Sequence, residues 1–105
     1  MNDIQKSYDE LPYISAAFAE TSPARLEALA SFLSLTPSKT AKVLEIGCSY
    51  GGNLFPFAIA NPQAKVLGID LSEVQINKAK ELAAQMRVDN IEFKAKDICD
   101  FTDAD

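Results

Sequence analysis

The residues that are best suited to chemistry lie at three points of the chain, each directly after a short apolar run. The first is the glycine-bearing stretch 45–53 (EIGCSYGGN), the second is Asp70, and the third is the triplet 96–98 (KDI). Gly47 and Gly51 allow the backbone to bend sharply and to approach a ligand closely. Backbone amides at the start of a following helix bind a carboxylate or a phosphate. The first stretch therefore predicts a ligand-binding turn.

Asp70 and its neighbours predict a pocket for a nucleoside. Asp70 follows Gly47 by 23 residues, a spacing that is typical of a carboxylate accepting the hydroxyl protons of a ribose. We expect Leu71 and Ile98 to enclose a flat base, and Asp97 to accept a hydrogen bond from its exocyclic amine. Plainer alternatives stay open: the glycines close a strand-to-helix turn, Asp70 neighbours a helix cap, and Asp97 is a solvated acid in an acidic tail.

The composition of the turn distinguishes between nucleoside cofactors. A dinucleotide-binding fingerprint has the form G-x-G-x-x-G, whereas this chain has Gly47 followed by Gly51 and Gly52. Ser49 stands where the middle glycine of that fingerprint would be, and Glu45 precedes the first glycine by two residues. A carboxylate there repels a pyrophosphate but attracts an ammonium or a sulfonium group. The turn therefore disfavours NAD and FAD and favours S-adenosylmethionine.

The elements that must position these residues alternate between helix and strand. Strands that alternate with helices pair in parallel through right-handed crossovers. The pattern predicts an α/β fold, a partial Rossmann-like, doubly wound parallel sheet of three strands with its ligand at their carboxyl ends. We divide the chain into an amino-terminal helical segment, 1–40, and a partial domain, 41–105, within one compact unit. The predicted strands are 42–46, 65–69 and 91–95, and the predicted helices run from Pro23 to about residue 33, over 53–60, and from 73 to about 86.

Local signals define how the helices begin and which faces they bury. Residues 1–21 predict a loop or short turns followed by one helical turn, because Pro12 breaks a helix. Tyr8 and Tyr13 are expected to pack this segment over the domain, and closure of the cofactor cleft is the alternative. Pro23 is well placed to open the first helix. Ser72 is the expected N-cap of the third helix, with Gln75 reaching back to complete a capping box. The apolar faces are predicted to comprise Leu26, Leu29, Ala30 and Leu33 in the first helix, and Ile76, Ala79, Leu82, Ala83 and Met86 in the third.

Composition and charge exclude several classes of protein. The 105 residues make at most one domain. Apolar residues are 48% of the chain and charged residues are 24%, which is typical of a globular protein. Fifteen acidic against ten basic side chains, a net charge of -5, disfavour nucleic acid as a partner. The chain has no histidine, which excludes histidine catalysis and histidine-ligated metal within it. No apolar run predicts a membrane span or a signal peptide, and we interpret Cys48 and Cys99 as reduced thiols of a cytoplasmic protein.

The three motifs together resemble those of class I S-adenosylmethionine-dependent methyltransferases. Stretch 45–51 (EIGCSYG) is similar to the family's first motif, acid-x-Gly-x-Gly-x-Gly, 68–70 (GID) to the second, and 96–98 (KDI) to the third. Stretches 8–26 and 51–53 resemble one bacterial branch, methyltransferases with a methyltransferase regulatory domain, akin to rickettsial protein-lysine methyltransferases. The resemblance covers nearly the whole chain and implies the strand order 3-2-1.

The resemblance assigns a role to each matching residue. It implies that Asp70 holds the ribose and that Leu71 lies against the adenine. It also implies that Asp97 and Ile98 meet the edge and the face of the adenine. The residues that it places around the methionine part of the cofactor are Glu45, Gly47, Cys48, Ser49 and Gly51.

Two positions depart from the family's pattern, and one part of its fold has no counterpart here. Ser49 replaces a glycine, and Arg87 ends the third helix where relatives often have glycine, at a cost of about 1 kcal/mol if its φ is positive. In the family a fourth strand, beside strand 42–46, usually supplies the catalytic residues, so no catalytic residue is assigned. Strand 42–46 is then an exposed edge, which predicts self-association, with a homodimer as one form.

Three functions stay open at this point. The first is the S-adenosylmethionine-binding half of a methyltransferase with an unidentified acceptor, with S-adenosylmethionine or S-adenosylhomocysteine as ligand. The second is a non-catalytic module that binds this cofactor or a partner chain. The third, an NAD-binding Rossmann half, is disfavoured by Glu45 and Ser49. Both a fragment of a longer enzyme and a truncated protein are compatible with the sequence.

Overall fold

The computed structural model describes residues 3–11, 23–33, 40, 42–102 and 104. Helices and strands alternate after the first two helices, as the apolar pattern predicts. The elements are α1 (Asp3–Glu10), α2 (Pro23–Phe32), β1 (Lys42–Ile46), α3 (Leu54–Ala60), β2 (Lys65–Asp70), α4 (Glu73–Met86), β3 (Ile91–Ala95) and a 3₁₀ turn (Ile98–Asp100).

The three strands form one parallel sheet with β2 in the centre. Its order, β1-β2-β3, is the predicted order 3-2-1. Ile46 pairs with Ile69, and Asp70 pairs with Ala95. Because the pairing is parallel, the carboxyl ends of all three strands lie at one edge of the sheet. The predicted fold class and the bounds of β1 and β3 are confirmed, and β2 runs one residue beyond the predicted 65–69, to Asp70.

One apolar core joins α3 and α4 to the sheet. Its members come from the turn after β1, from both helices and from β2 and β3. On β1 the side chains alternate, so that Val43 and Glu45 are half-buried while Leu44 and Ile46 are exposed. The core therefore covers one face of the sheet and leaves apolar side chains of β1 uncovered. The buried members include Cys48, Leu54, Phe55, Ala58, Val66, Ile76, Ala79 and Phe93.

The start of α4 confirms one half of the predicted capping box and corrects the other. The hydroxyl of Ser72 accepts a hydrogen bond from the backbone amide of Gln75 at 3.3 Å. The side chain of Gln75 does not reach back to the amide of Ser72, because that amide already donates to Oδ1 of Asp70 at 2.9 Å. This part of the prediction is wrong, and the side chain of Gln75 is used elsewhere.

The end of α4 also differs in part from the prediction. Ile76 and Ala79 are buried as expected, but Met86 in the last turn is exposed. Arg87 ends the helix with φ 55°. This is the positive φ for which the sequence predicts a cost of about 1 kcal/mol. The prediction for Met86 is wrong, because the chain turns directly after it and Val88 packs against the core at that end.

Asn90 fixes the connections around the amino ends of β2 and β3. Its Nδ2 donates to the carbonyl oxygens of Ala58 at 3.0 Å, Asn61 at 3.0 Å and Ala64 at 3.1 Å. The backbone carbonyl of Asn90 accepts a hydrogen bond from the backbone amide of Val66 at 2.9 Å. One side chain thus ties the end of α3 and the loop after it to the sheet.

The amino-terminal part of the chain differs most from its prediction. Residues 3–10 form a helix, so the expected loop is wrong there. α2 begins at Pro23 as expected, but Leu29 and Leu33 of its predicted apolar face are exposed. The predictions for Pro12 and for the rest of 12–22 fall outside the described residues. Within the described part of the chain, no helix is both long and apolar enough to span a membrane.

Candidate functional site

A cavity of about 380 Å³ lies at the carboxyl edge of the sheet. It is where a parallel sheet of this kind places its ligand. Of the predicted site residues, six line it and three do not. The lining comprises Tyr8, Ile46, Gly47, Ser49, Ile69, Asp70, Leu71, Gln75, Lys96, Asp97 and Ile98.

The turn after β1 forms one wall of the cavity, and its backbone is unusual. Gly47 has φ 74°, Ser49 has φ 54° and Gly51 has φ 83°. Ser49 therefore holds a left-handed conformation that non-glycine residues adopt only at some cost. The amides of Gly47 and Cys48 both donate to the carbonyl of Ile69, at 2.8 and 3.0 Å. These bonds fix the turn against the end of the neighbouring strand.

Asp70 organises the cavity with both carboxylate oxygens. Its Oδ2 accepts the backbone amide of Ser49 and its Oδ1 accepts the backbone amide of Ser72, each at 2.9 Å. Each carboxylate oxygen has a second lone pair, and Asp70 lines the cavity while only half-buried. The carboxylate of Asp70 thus supports the start of α4 beside its cap, as the plainer interpretation expects. It also keeps lone pairs that can accept hydrogen bonds from the cavity.

Glu45, Cys48 and Gly51 support the turn from outside the cavity lining. Oε2 of Glu45 accepts Nδ2 of Asn53 at 2.9 Å, which ties the end of β1 to the start of α3. Cys48 is buried directly over Gly68, where a Cβ would lie 2.8 Å from its Sγ. Gly51 is buried against aromatic rings of the core. Proximity in sequence to Gly47 does not make these residues part of the lining.

The thiol of Cys48 is held in its neutral form. Its pKa is raised to about 12, mainly by burial and in addition by the nearby carboxylates of Asp70 and Glu45. A thiol with so high a pKa is a poor nucleophile at neutral pH. Cys48 is therefore a packing residue of the turn, whereas Cys99 is exposed.

The third motif closes the far side of the cavity. Oδ1 of Asp97 accepts the backbone amide of Cys99 at 2.9 Å, so that Asp97 caps the short 3₁₀ turn. Ile98, which also lines the cavity, is exposed. The exposed thiol of Cys99 has a raised pKa, first because of its hydrogen bond with Asp97 and then because of that carboxylate's charge. Asp97 and Ile98 line the same cavity as Leu71.

Sequence reasoning missed several lining residues. Ile46 is the last residue of β1, Ile69 is the last but one of β2, and Lys96 directly follows β3, so strand ends alone would have found these three. Gln75 lies on the buried face of α4, but its position in the sequence was interpreted only as part of a capping box. Tyr8 was expected to pack over the domain, with closure of the cofactor cleft as the alternative, and it lines the cavity. No group of three or more acids and cysteines within the described residues could hold a metal ion.

Comparisons with known proteins agree with this geometry. A family model described as a methyltransferase domain matches residues 37–105. The uncharacterized protein RP789 of Rickettsia prowazekii is 40% identical over 99 residues, which are 92% of this chain and 18% of that protein. RP028 of the same organism is 38% identical over 93% of this chain and 40% of that protein. The chain thus spans less than half the length of these relatives.

A solved structure shows the same arrangement of strands and helices. The structure of PKMT2 from Rickettsia typhi in complex with AdoHcy superposes with a TM-score of 0.78 at 38% identity. The match covers 88% of this chain and 18% of that one. The resemblance drawn from the three motifs is therefore confirmed at the level of the family. By its sequence over 37–105 and by its fold, this chain belongs to the methyltransferase domain family.

Proposed function

We propose that this chain is the S-adenosylmethionine-binding part of a methyltransferase. The observation that carries the proposal is the cavity at the carboxyl ends of the three parallel strands, with Asp70 between the glycine-bearing turn and α4. Its volume of about 380 Å³ lies in the range of small-molecule sites. A related protein of the same fold, PKMT2, has been solved with AdoHcy, which supports the same class of ligand here.

The nucleoside end of the ligand is assigned to the second and third motifs. The free lone pairs of Asp70 accept the ribose hydroxyl protons, while the amides of Ser49 and Ser72 hold its carboxylate in place. Leu71 and Ile98 offer apolar surface on the cavity wall for the adenine. The carboxylate of Asp97 has about four lone-pair sites, so it keeps acceptor capacity beyond its bonds to Cys99 for an exocyclic amine.

The methionine end of the ligand is assigned to the turn after β1. Gly47 and Ser49 line the cavity there, and a Cβ at Gly47 would meet nothing within 4 Å, so the backbone is open to a ligand. Glu45 acts through its negative charge, which favours a cationic amino acid group over a pyrophosphate. Cys48 and Gly51 act by holding the turn in shape from the core side.

The residues described here bind and orient, and none is assigned as a catalytic base. When bound, S-adenosylmethionine supplies a methyl group on a sulfonium sulfur, which suits in-line transfer to a positioned nucleophile. The chain spans 18% of RP789 and 40% of RP028. We therefore propose that selection of the acceptor depends on parts of the longer relatives that this chain does not match.

The proposed setting is the cytoplasm, with the cofactor or S-adenosylhomocysteine as the small-molecule partner. Cys48 and Cys99 are both free thiols, which supports a reducing compartment. The net charge of -5 argues against nucleic acid as the acceptor.

Calorimetric titration of the 105-residue chain tests the proposal. S-adenosylhomocysteine is expected to bind with one site per chain, and NAD is expected to give no saturable heat. Because the two ligands share the adenosine group, a difference between their affinities reports on the end of the site that is proposed to bind the methionine part. Binding of NAD without binding of S-adenosylhomocysteine would overturn the assignment in favour of a dinucleotide site.

A further inference from the structure

Gln75 is a buried polar residue that the proposed cofactor contacts leave without a role. It lies in the first turn of α4, is 2% exposed, and lines the cavity with part of its side chain. A buried amide is costly unless its donors and acceptors are paired. The two ends of this amide are paired with two different segments, the glycine-bearing turn and α1.

The partners of Gln75 fix the orientation of its amide. The carbonyl of Tyr8 can only accept, so Nε2 of Gln75 faces it, at 3.4 Å. Oε1 is thereby directed to the other side, where the hydroxyl of Ser49 donates to it. Ser49 is the same residue whose amide is held by Asp70. Gln75 thus connects the backbone of α1 to the wall of the cavity through one rigid amide.

A second contact holds α1 against the start of α4. Oδ1 of Asp9 accepts the hydroxyl of Ser72 and the backbone amide of Val74, the latter at 3.3 Å. A carboxylate at the amino end of a helix is also favoured by the helix dipole. These contacts hold the neighbouring Tyr8 in the lining of the cavity. No residue of α1 is buried, so polar contacts rather than apolar packing position this helix.

We propose that Gln75 is a positioning residue that couples the placement of α1 over the cavity to the conformation of the turn at Ser49. Occupancy of the cavity, which rests on the proposed function, then stabilises the turn and α1 together. Loss of the amide releases both: Tyr8 leaves the lining, and Ser49 loses the partner of its hydroxyl. Gln75 acts through these two segments and needs no contact with the ligand.

The first test is the affinity for S-adenosylhomocysteine in a double-mutant cycle. Gln75→Met keeps the length of the side chain but removes both hydrogen bonds, and it is expected to weaken binding about tenfold. Asp9→Ala loosens α1 by itself, so in that background Gln75→Met is expected to cost less than about threefold. A tenfold loss in both backgrounds would mean that Gln75 acts independently of α1, and would overturn the proposal.

Matched variants separate coupling from general damage to α4. Asn77→Met makes a similar change at an exposed position of the same helix and is expected to leave the affinity within about twofold of the parent. Ser49→Ala removes only the hydroxyl that reaches Gln75, and serves if Gln75→Met does not fold. It is expected to weaken binding in the same direction. An unchanged affinity in every variant that folds would reject the coupling.

A second measurement decides the proposal without any ligand. Hydrogen exchange of the backbone amides in 3–11 is expected to be about tenfold faster in Gln75→Met than in the parent, because α1 has lost its tie to the turn. Equal exchange rates would refute the proposal. If the parent chain fails to bind S-adenosylhomocysteine, the proposed function fails, but this comparison still shows whether Gln75 couples the two segments.

Discussion

The carboxylate of Asp70 accepts the backbone amide of Ser49 at 2.9 Å, although the two residues are 21 positions apart. The same carboxylate accepts the amide of Ser72, at the start of α4. A group that is proposed to hold the ribose therefore also shapes the turn that would hold the other end of the ligand. Binding and local folding are linked at this side chain, and experiments must separate them.

Replacement of Asp70 by alanine tests its proposed role toward the ribose. We expect Asp70→Ala to weaken binding of S-adenosylhomocysteine by about 1.5 to 3 kcal/mol, the range of hydrogen bonds to charged groups. Calorimetry gives the affinity, and urea unfolding of the same sample gives the stability of the chain. Asp89→Ala, at an exposed acid away from the cavity, is the control. Equal affinity in Asp70→Ala and in the parent would exclude the ribose assignment.

Gly47 and Gly51 make a matched pair for separating ligand contact from packing. Both have positive φ, but a Cβ at Gly47 meets nothing within 4 Å, whereas one at Gly51 would lie 2.8 Å from Phe93 and 2.9 Å from Phe55. Alanine at Gly47 is expected to cost about 1 to 2 kcal/mol of stability through φ alone. Alanine at Gly51 is expected to cost about 2 to 4 kcal/mol, because overpacking is added to that strain. Urea unfolding that gave equal losses would contradict this description of the turn.

The fold was predictable where apolar pattern and topology act together. The strand bounds and the parallel order followed from short apolar runs separated by helices, and the position of Asp70 followed from the end of such a run. α1 was not predicted in this way, because it carries few apolar side chains and none of its residues is buried. Its position depends on Asp9 and on the carbonyl of Tyr8, which meet α4 through contacts that span 63 to 67 positions.

The candidate site shows a similar division. Sequence identifies the turn after β1 but does not show which of its residues face a ligand and which face the core. Gly47 and Ser49 line the cavity, while Cys48 and Gly51 are buried against the core. The backbone conformation of a tight turn depends on partners such as Asp70, so it becomes visible only in the folded chain.

The buried thiol of Cys48 predicts a specific loss of stability at high pH. Its pKa is raised from 9.0 to about 12 in the folded chain, mainly by burial. The folded state therefore holds the proton more tightly than the unfolded state does. The stabilisation that this provides is complete below about pH 9 and is lost as the pH rises toward 12, by up to about 4 kcal/mol.

A variant that lacks the thiol isolates this effect from other titrating groups. Urea unfolding of the parent and of Cys48→Ala is measured at pH 8, and again at about pH 10.5, within the window that follows from the raised pKa. Cys48→Ala is expected to be less stable at pH 8 because of the cavity it creates. The difference between the two proteins should shrink at the higher pH. Parallel stability curves would show that Cys48 is not protected from ionisation.

The outer edge of β1 is an exposed strand edge in this chain. Within the described residues β1 pairs with β2 alone, and Leu44 and Ile46 are 42% and 58% exposed. An exposed edge with apolar side chains is a template for pairing with another chain. Of the two charged residues of β1, Lys42 at the beginning of the strand is exposed and Glu45 is half-buried. A single lysine at one end is a weak deterrent to pairing.

We expect this edge to cause self-association of the 105-residue chain. A two-fold symmetric pair covers one copy's edge with the same edge of the other, which would join two sheets antiparallel through β1. Light scattering is expected to give a mass near twice 11.4 kDa at high micromolar concentration. Leu44→Lys, which places a charge in the middle of the edge, should lower that mass toward the monomer. Ile59→Lys, at an exposed position on α3, should leave it unchanged. A cooperative monomer at all concentrations of the parent chain would contradict the prediction. Equal effects of the two substitutions would also contradict it, because apolar surface in general, rather than the edge of β1, would then drive the association.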